Sequence, residues 1–142
     1  MTSEQIDAVR SRIMRAVRQK RTNPEMTVRS ALHAEGYRFR TNLRRLPGSP
    51  DIVFTARRKV VFIHGCFWHR HPACRLASAP KTRTDFWEAK FLANIERDAG
   101  NVNELMDLGW EVATIWECET RELPRTTARL REFLGPPRYA VF

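Results

Sequence analysis

Two short runs of β-branched and aromatic residues, Asp51-Ile52-Val53-Phe54 and Val60-Val61-Phe62-Ile63, stand close together and are joined by the basic stretch Ala56-Arg57-Arg58-Lys59. Apolar runs of this length and spacing suit paired strands, so they predict a hairpin with a buried face. That face needs cover, and the flanking sequence supplies helices. Ser3 can cap a helix running to about Lys20, with Ile6, Val9, Ile13, Ala16 and Val17 at helical spacing and Arg10, Arg12, Arg15 and Arg18 filling the remainder. Asn23-Pro24-Glu25 reads as cap, first-position proline and first-turn acid of a second helix, with Met26, Val28 and Leu32 as apolar contacts and Gly36 as its stop. A short strand is predicted over Tyr37 to Arg40, then a basic, turn-forming loop from Asn42 to Pro50.

Beyond the hairpin a loop spans Gly65 to Arg83. Thr84 or Asp85 then caps a long helix to Leu108, stopped by Gly109. A buried strand, Trp110 to Trp116, and a helix from Arg121 to Leu134, ended by Gly135-Pro136-Pro137, complete the order. That order predicts a mixed α/β layer, a central sheet with helices against it. With 142 residues there is material for one core and not two, so residues 1–142 are expected to form a single domain.

A hydrophobic content of 42%, 29% charged residues and only 6 Gly and 8 Pro exclude a disordered or fibrous chain. No apolar run approaches the roughly 20 residues of a membrane helix. Met1 to Arg12 carries charges where a secretion signal has its apolar region, which predicts a cytoplasmic protein without a membrane partner. The net charge of +9 is unevenly placed: 11 basic and 4 acidic residues up to Arg45, against 14 and 12 beyond it. A basic arm, residues 1–21, on a nearly neutral body points to a polyanion, because Arg gains by displacing counterions from phosphates.

Three cysteines cannot all pair, and a cytoplasmic chain is not expected to form disulfides. Cys66, His71 and Cys74 lie within nine positions of one loop, and Cys118 follows a strand that can return beside it. These four are the soft donors of a closed, tetrahedral zinc site of structural type. Asp51 follows a proline and opens a buried strand, where a carboxylate must pair or bind a cation, and the placement suits a magnesium ligand. The neighbouring strand delivers His64 and then His69 close by, so a metal-binding carboxylate and a proton-accepting imidazole come together, a sufficient kit for activating water against a phosphodiester. Asp98 shares the helical register of Phe91, Ile95, Val102 and Leu105, and a charge on that apolar face needs a partner. Glu25 is accounted for by its first-turn position alone.

The segments Met14-Arg15-Ala16-Val17-Arg18, Asn23-Pro24-Glu25, Pro47-Gly48-Ser49-Pro50-Asp51, His64-Gly65-Cys66-Phe67-Trp68-His69, Thr82-Arg83-Thr84-Asp85-Phe86-Trp87, Asn94-Ile95-Glu96-Arg97-Asp98 and Trp116-Glu117-Cys118 closely resemble the very short patch repair (Vsr) endonucleases. The resemblance runs in order from about Ser11 to Glu119, and Gly-Cys-Phe-Trp-His is its rarest segment. It implies a restriction-endonuclease-like fold and a monomeric, magnesium-dependent enzyme. The implied reaction nicks double-stranded DNA on the 5′ side of the T in a T:G mismatch, the product of 5-methylcytosine deamination, which links it functionally to a cytosine-5 DNA methyltransferase.

Carried over by motif, Asp51 and the Ile63 carbonyl would bind magnesium, His69 would act on the attacking water with Asp98 orienting it, and Glu25 and His64 would hold metal-bound waters or the phosphate. The family's zinc ligands fall on Cys66, His71, Cys74 and Cys118. Phe67, Trp68 and Trp87 match aromatics that wedge into the base stack, and Met14 would be the inserted tip of the N-terminal helix. The spacing departs from some members at Pro72-Ala73. Two other readings remain open from sequence: a restriction-type nuclease of the same fold that cuts both strands, and a zinc-stabilised DNA-binding module without catalysis.

Overall fold

The computed structural model describes Gln5 and residues 23–137. Apart from Gln5, the predicted N-terminal helix, Met14 within it, lies outside the described residues. Eight elements follow: α1 (Pro24–Ala34), β1 (Arg40–Thr41), β2 (Ile52–Phe54), β3 (Lys59–His64), α2 (Thr84–Asp107), β4 (Glu111–Trp116), a 3-10 helix (Glu117–Glu122) and α3 (Leu123–Leu134).

The sheet is mixed, in the order β1-β2-β3-β4. The predicted hairpin forms with Ile52 opposite Val61 and Val53 opposite Val60, antiparallel. β4 returns parallel to β3, after the long crossover that parallel pairing requires, with Lys59 opposite Glu111 and His64 opposite Trp116. The hairpin is buried on both faces and not on one. Ile52, Phe54, Val61, Ile63 and Ile115 pack with Val28, Leu32, Tyr37, Leu130 and Leu134. Val53, Val60 and Phe62 face the other way, against Leu105 and Trp110. The sheet is therefore the middle of three layers, with α1 and α3 on one side and α2 on the other.

Local signals set most boundaries. The Asn23 side chain accepts the Glu25 N–H at 3.0 Å, Pro24 occupies the first turn, and Gly36 takes a left-handed φ of 100° just past the helix. Val28 and Leu32 are buried one turn apart, whereas Met26, half a turn away from them, is 48% exposed and makes no core contribution. The strand predicted over Tyr37–Arg40 is displaced to Arg40–Thr41, because Tyr37 turns into the core and donates its hydroxyl to the Gly135 carbonyl. Neither Thr84 nor Asp85 caps α2; Arg83 does so in the left-handed region without a side-chain bond. On α2 the buried stripe is Trp87, Phe91 and Leu105, while Ile95 is 44% exposed. The last helix begins at Leu123, where Pro124 suits a first turn, and a 3-10 turn occupies the residues before it.

The hairpin's basic turn works inside the molecule. Arg57 donates to the carbonyls of Leu134 and Pro136, Arg58 to that of Leu108, and Lys59 to that of Phe133. Those of Leu108, Phe133 and Leu134 lie at the C-terminal ends of α2 and α3, where helices leave carbonyls unpaired at their negative poles. Among the described residues no helix is long and apolar enough to cross a membrane.

Candidate active site

The parallel register of β3 and β4 builds the first cluster. His64 lies opposite Trp116, so two residues further on Cys66 and Cys118 emerge side by side, and the Cys118 N–H donates to Cys66 Sγ at 3.4 Å. The loop then folds back, with the His71 N–H donating to the Cys66 carbonyl, which leaves His71 Nδ1 at 3.7 Å from Cys66 Sγ and 3.4 Å from Cys118 Sγ. Cys74 joins them, and the four donor atoms all lie within 4.8 Å of one another. Three sulfurs and one imidazole this close can hold a metal ion. Burial pushes the Cys66 thiol up to about 12, against the Cys118 backbone N–H that favours its thiolate. A cation at the centre would reverse that balance.

The second cluster forms at the same end of the sheet. Asp51, just ahead of β2, accepts the Ile63 N–H at 2.6 Å, so the two residues expected to share magnesium are in contact. His64, at the end of β3, is 8% exposed, and its ring stacks parallel on that of His69 at 3.9 Å. Burial, and secondarily the neighbouring His69, holds His64 down at about 4, so it is neutral near pH 7. His69 Nδ1 is 2.5 Å from Asp98 Oδ2. An ionised carboxylate can only accept, so Nδ1 carries a proton and donates it to Asp98, which turns Nε2 away from that carboxylate. Asp98 thereby has the partner that its register demanded, half-buried on α2.

Glu25 stands a step away: its Oε1 accepts the Asn42 amide at 3.2 Å and lies 3.7 Å from Arg29. Asn42 in turn donates its backbone N–H to the Asp51 carbonyl at 3.1 Å, tying Glu25 to Asp51 indirectly.

Between the clusters stands Trp116, stacked on His71 at 4.4 Å and edge-on to His64 at 5.4 Å. Sequence reasoning named it only as a strand end and within Trp116-Glu117-Cys118 and assigned it no role; its place two residues before Cys118 at a strand end was the available signal. Phe67 and Trp68 are half-buried and meet edge-on at 5.0 Å. Trp87 is only 5% exposed, packed beneath both, and its indole N–H has no hydrogen-bond partner among the described residues. The Trp68 carbonyl accepts the Asn94 amide of α2 at 3.1 Å.

Residues 5–75 match the family model described as DNA mismatch endonuclease Vsr. The chain is 51% identical over 124 residues to the type II nicking enzyme V.XorIIP of Xanthomonas oryzae pv. oryzae, covering 87% of this chain and 90% of that one. It is 42% identical over 132 residues to the type II nicking enzyme V.NmeAIP of Neisseria meningitidis, covering 93% and 94% of the two chains. With the DNA mismatch endonuclease Vsr of Escherichia coli it shares 43% identity over 120 residues, 84% of this chain and 76% of that one. Such identity over most of each chain places it among these enzymes: it belongs to the Vsr family of DNA mismatch endonucleases and is an endodeoxyribonuclease.

Proposed function

We propose that this endonuclease nicks the T-containing strand of double-stranded DNA on the 5′ side of a T:G mismatch, as a magnesium-dependent monomer that begins repair of deaminated 5-methylcytosine. The observation that carries the reading is the chain of contacts from Asp51 through Ile63 and His64 to His69 and Asp98, which assembles a carboxylate, a proton acceptor and its orienting acid at one sheet end. A module that only bound DNA would have no use for a polarised His–Asp pair, and this favours catalysis over the zinc-stabilised binding reading.

Asp51 and the Ile63 carbonyl offer the hard oxygen donors that magnesium prefers. Magnesium, when bound, supplies positive charge to the phosphate oxygens as negative charge develops there. The protein's own groups do the rest. His69 Nε2 takes the proton of the attacking water, while the Asp98 carboxylate holds the Nδ1–H and stabilises the imidazolium that results. His64 buttresses the His69 ring from its other face without adding a charge of its own, and it and Glu25 line the site for water and phosphate.

The four donors of Cys66, His71, Cys74 and Cys118 would hold zinc, and the ion would then shape the loop without entering the reaction. The mixed sheet covered on both faces accords with a restriction-endonuclease-like fold and a single domain. Phe67 and Trp68 wedge beside the mismatch, with Trp87 as their support, while the basic residues within 1–21 grip the duplex electrostatically and Met14 inserts as an apolar tip. A cytoplasmic location and a functional link to a cytosine-5 DNA methyltransferase follow from that substrate.

The test is incision of short duplexes that differ only in one base pair and its neighbours. A single nick in the T strand of T:G duplexes, requiring magnesium, is expected. Cutting of both strands, or equal rates on T:G and T:A, would overturn the reading in favour of a restriction-type nuclease.

A further inference from the structure

We propose that Arg70 is a positioning residue for mismatch discrimination, a second, metal-independent pin that fixes Phe67 and Trp68 against α2. The inference rests on the wedge reading above. Arg70 donates from Nη1 to the Phe67 carbonyl at 3.2 Å and to the Ser78 carbonyl at 3.4 Å, and from Nη2 to the Ala77 carbonyl at 2.8 Å. Its guanidinium lies 4.2 Å over the ring of Phe91 on α2 and 5.5 Å from the ring of Phe67. One planar group thus joins both ends of the loop to each other and to the helix. The fork and the stacking are properties of Arg that Lys does not share.

Zinc cannot do this work alone. The three loop donors would fix the loop at positions 66, 71 and 74, but Phe67 and Trp68 lie in the span between the first two, where Asn94 holds the Trp68 carbonyl and Arg70 holds that of Phe67. Arg70 stands at a left-handed φ of 53°, a conformation that costs an L residue about 1 kcal/mol and persists only where surrounding contacts enforce it. Inserting rings between base pairs requires that they push against something rigid. A loop free to retreat would yield at a well-stacked T:A pair and at a weak T:G pair alike, and the difference in unstacking cost would not be expressed as a difference in rate.

The experiment measures nicking of T:G and T:A duplexes by the wild type, Arg70→Ala, Arg70→Lys and the Phe67→Ala/Trp68→Ala double variant, each with its metal content and magnesium dependence determined. Arg70→Ala is expected to narrow the T:G to T:A rate ratio about tenfold, the equivalent of one charged hydrogen bond. Bound zinc and the magnesium requirement should stay as in the wild type. Arg70→Lys, which keeps the charge, should narrow the ratio less, and it carries the comparison if the alanine variant does not retain its metal. A loss of general structure would lower both rates together and leave the ratio alone; that result overturns the proposal. If the double variant narrows the ratio while neither Arg70 variant does, the wedge stands and the pin falls. A double variant with undiminished preference overturns the wedge reading itself, and the pin with it.

Discussion

At the scale of single residues, the site depends on where protons sit. Nδ1 of His69 is committed to Asp98 at 2.5 Å, so the ring has one orientation and turns Nε2 away from that carboxylate. His64, neutral because it is buried, stacks on that ring without competing for the proton. His69→Ala should therefore lower the nicking rate by roughly 10²–10⁴-fold, the usual worth of a general base, while mismatched DNA is still bound. Asp51→Ala should abolish nicking through loss of the metal's carboxylate, again with binding retained. Single-turnover incision beside a gel-shift titration separates the two quantities. Near wild-type nicking by Asp51→Ala would move the active site elsewhere. The contact of Asp51 with β3 was legible in sequence, because a carboxylate opening a buried strand must pair or bind a cation. The link between Asp98 and His69 came only from the family resemblance, since nothing local says that a side chain 29 positions upstream will meet it.

At the scale of elements, the loop before β2 is seated on α2 by one glycine. Gly48 has φ +75°, and a Cβ there would fall 2.8–3.1 Å from the Asn101 side chain, one turn along α2 from Asp98. Gly48→Ala should cost about 1–3 kcal/mol, through both overpacking and the unfavourable backbone conformation. Adding Asn101→Ala should recover the steric part only. Chemical denaturation of the two single variants and the double variant measures this, and a Gly48→Ala protein of unchanged stability would show that the loop is not docked. The same loop leads to Asp51, so its seat also sets how the strand carboxylate faces the helix that holds Asp98. Elsewhere, Arg57, Arg58 and Lys59 of the hairpin turn bond the carbonyls at the ends of α2 and α3.

At the scale of the whole molecule, a metal held by the Cys/His cluster would cross-link distant parts of the chain. Cys66 and Cys118 emerge from adjacent parallel strands, and His71 and Cys74 bring the intervening loop to them. Removing the metal leaves three thiols and an imidazole crowded together, with the loop held only by weaker contacts. The purified protein should contain about one zinc per chain, and chelation should lower Tm by roughly 10 °C or more, because structural zinc contributes folding free energy directly. An apo protein with unchanged Tm would remove zinc from the account of stability.

Local chemistry in the sequence determined the elements that local interactions suffice to make: the capped start of α1 at Asn23-Pro24, the β2–β3 hairpin, the long α2 and the clustering of Cys66, His71 and Cys74 in one loop. The tertiary structure alone decided how far apart those pieces would end. The parallel register that sets Cys118 beside Cys66 comes from packing a 24-residue helix across the sheet, and no turn motif encodes it. The burial of the hairpin on both faces, the exposure of Ile95 and Met26, and the pairing of His69 with Asp98 have the same origin. Each depends on which surface of one element meets another, and that is settled by the shared burial of apolar area over the whole fold.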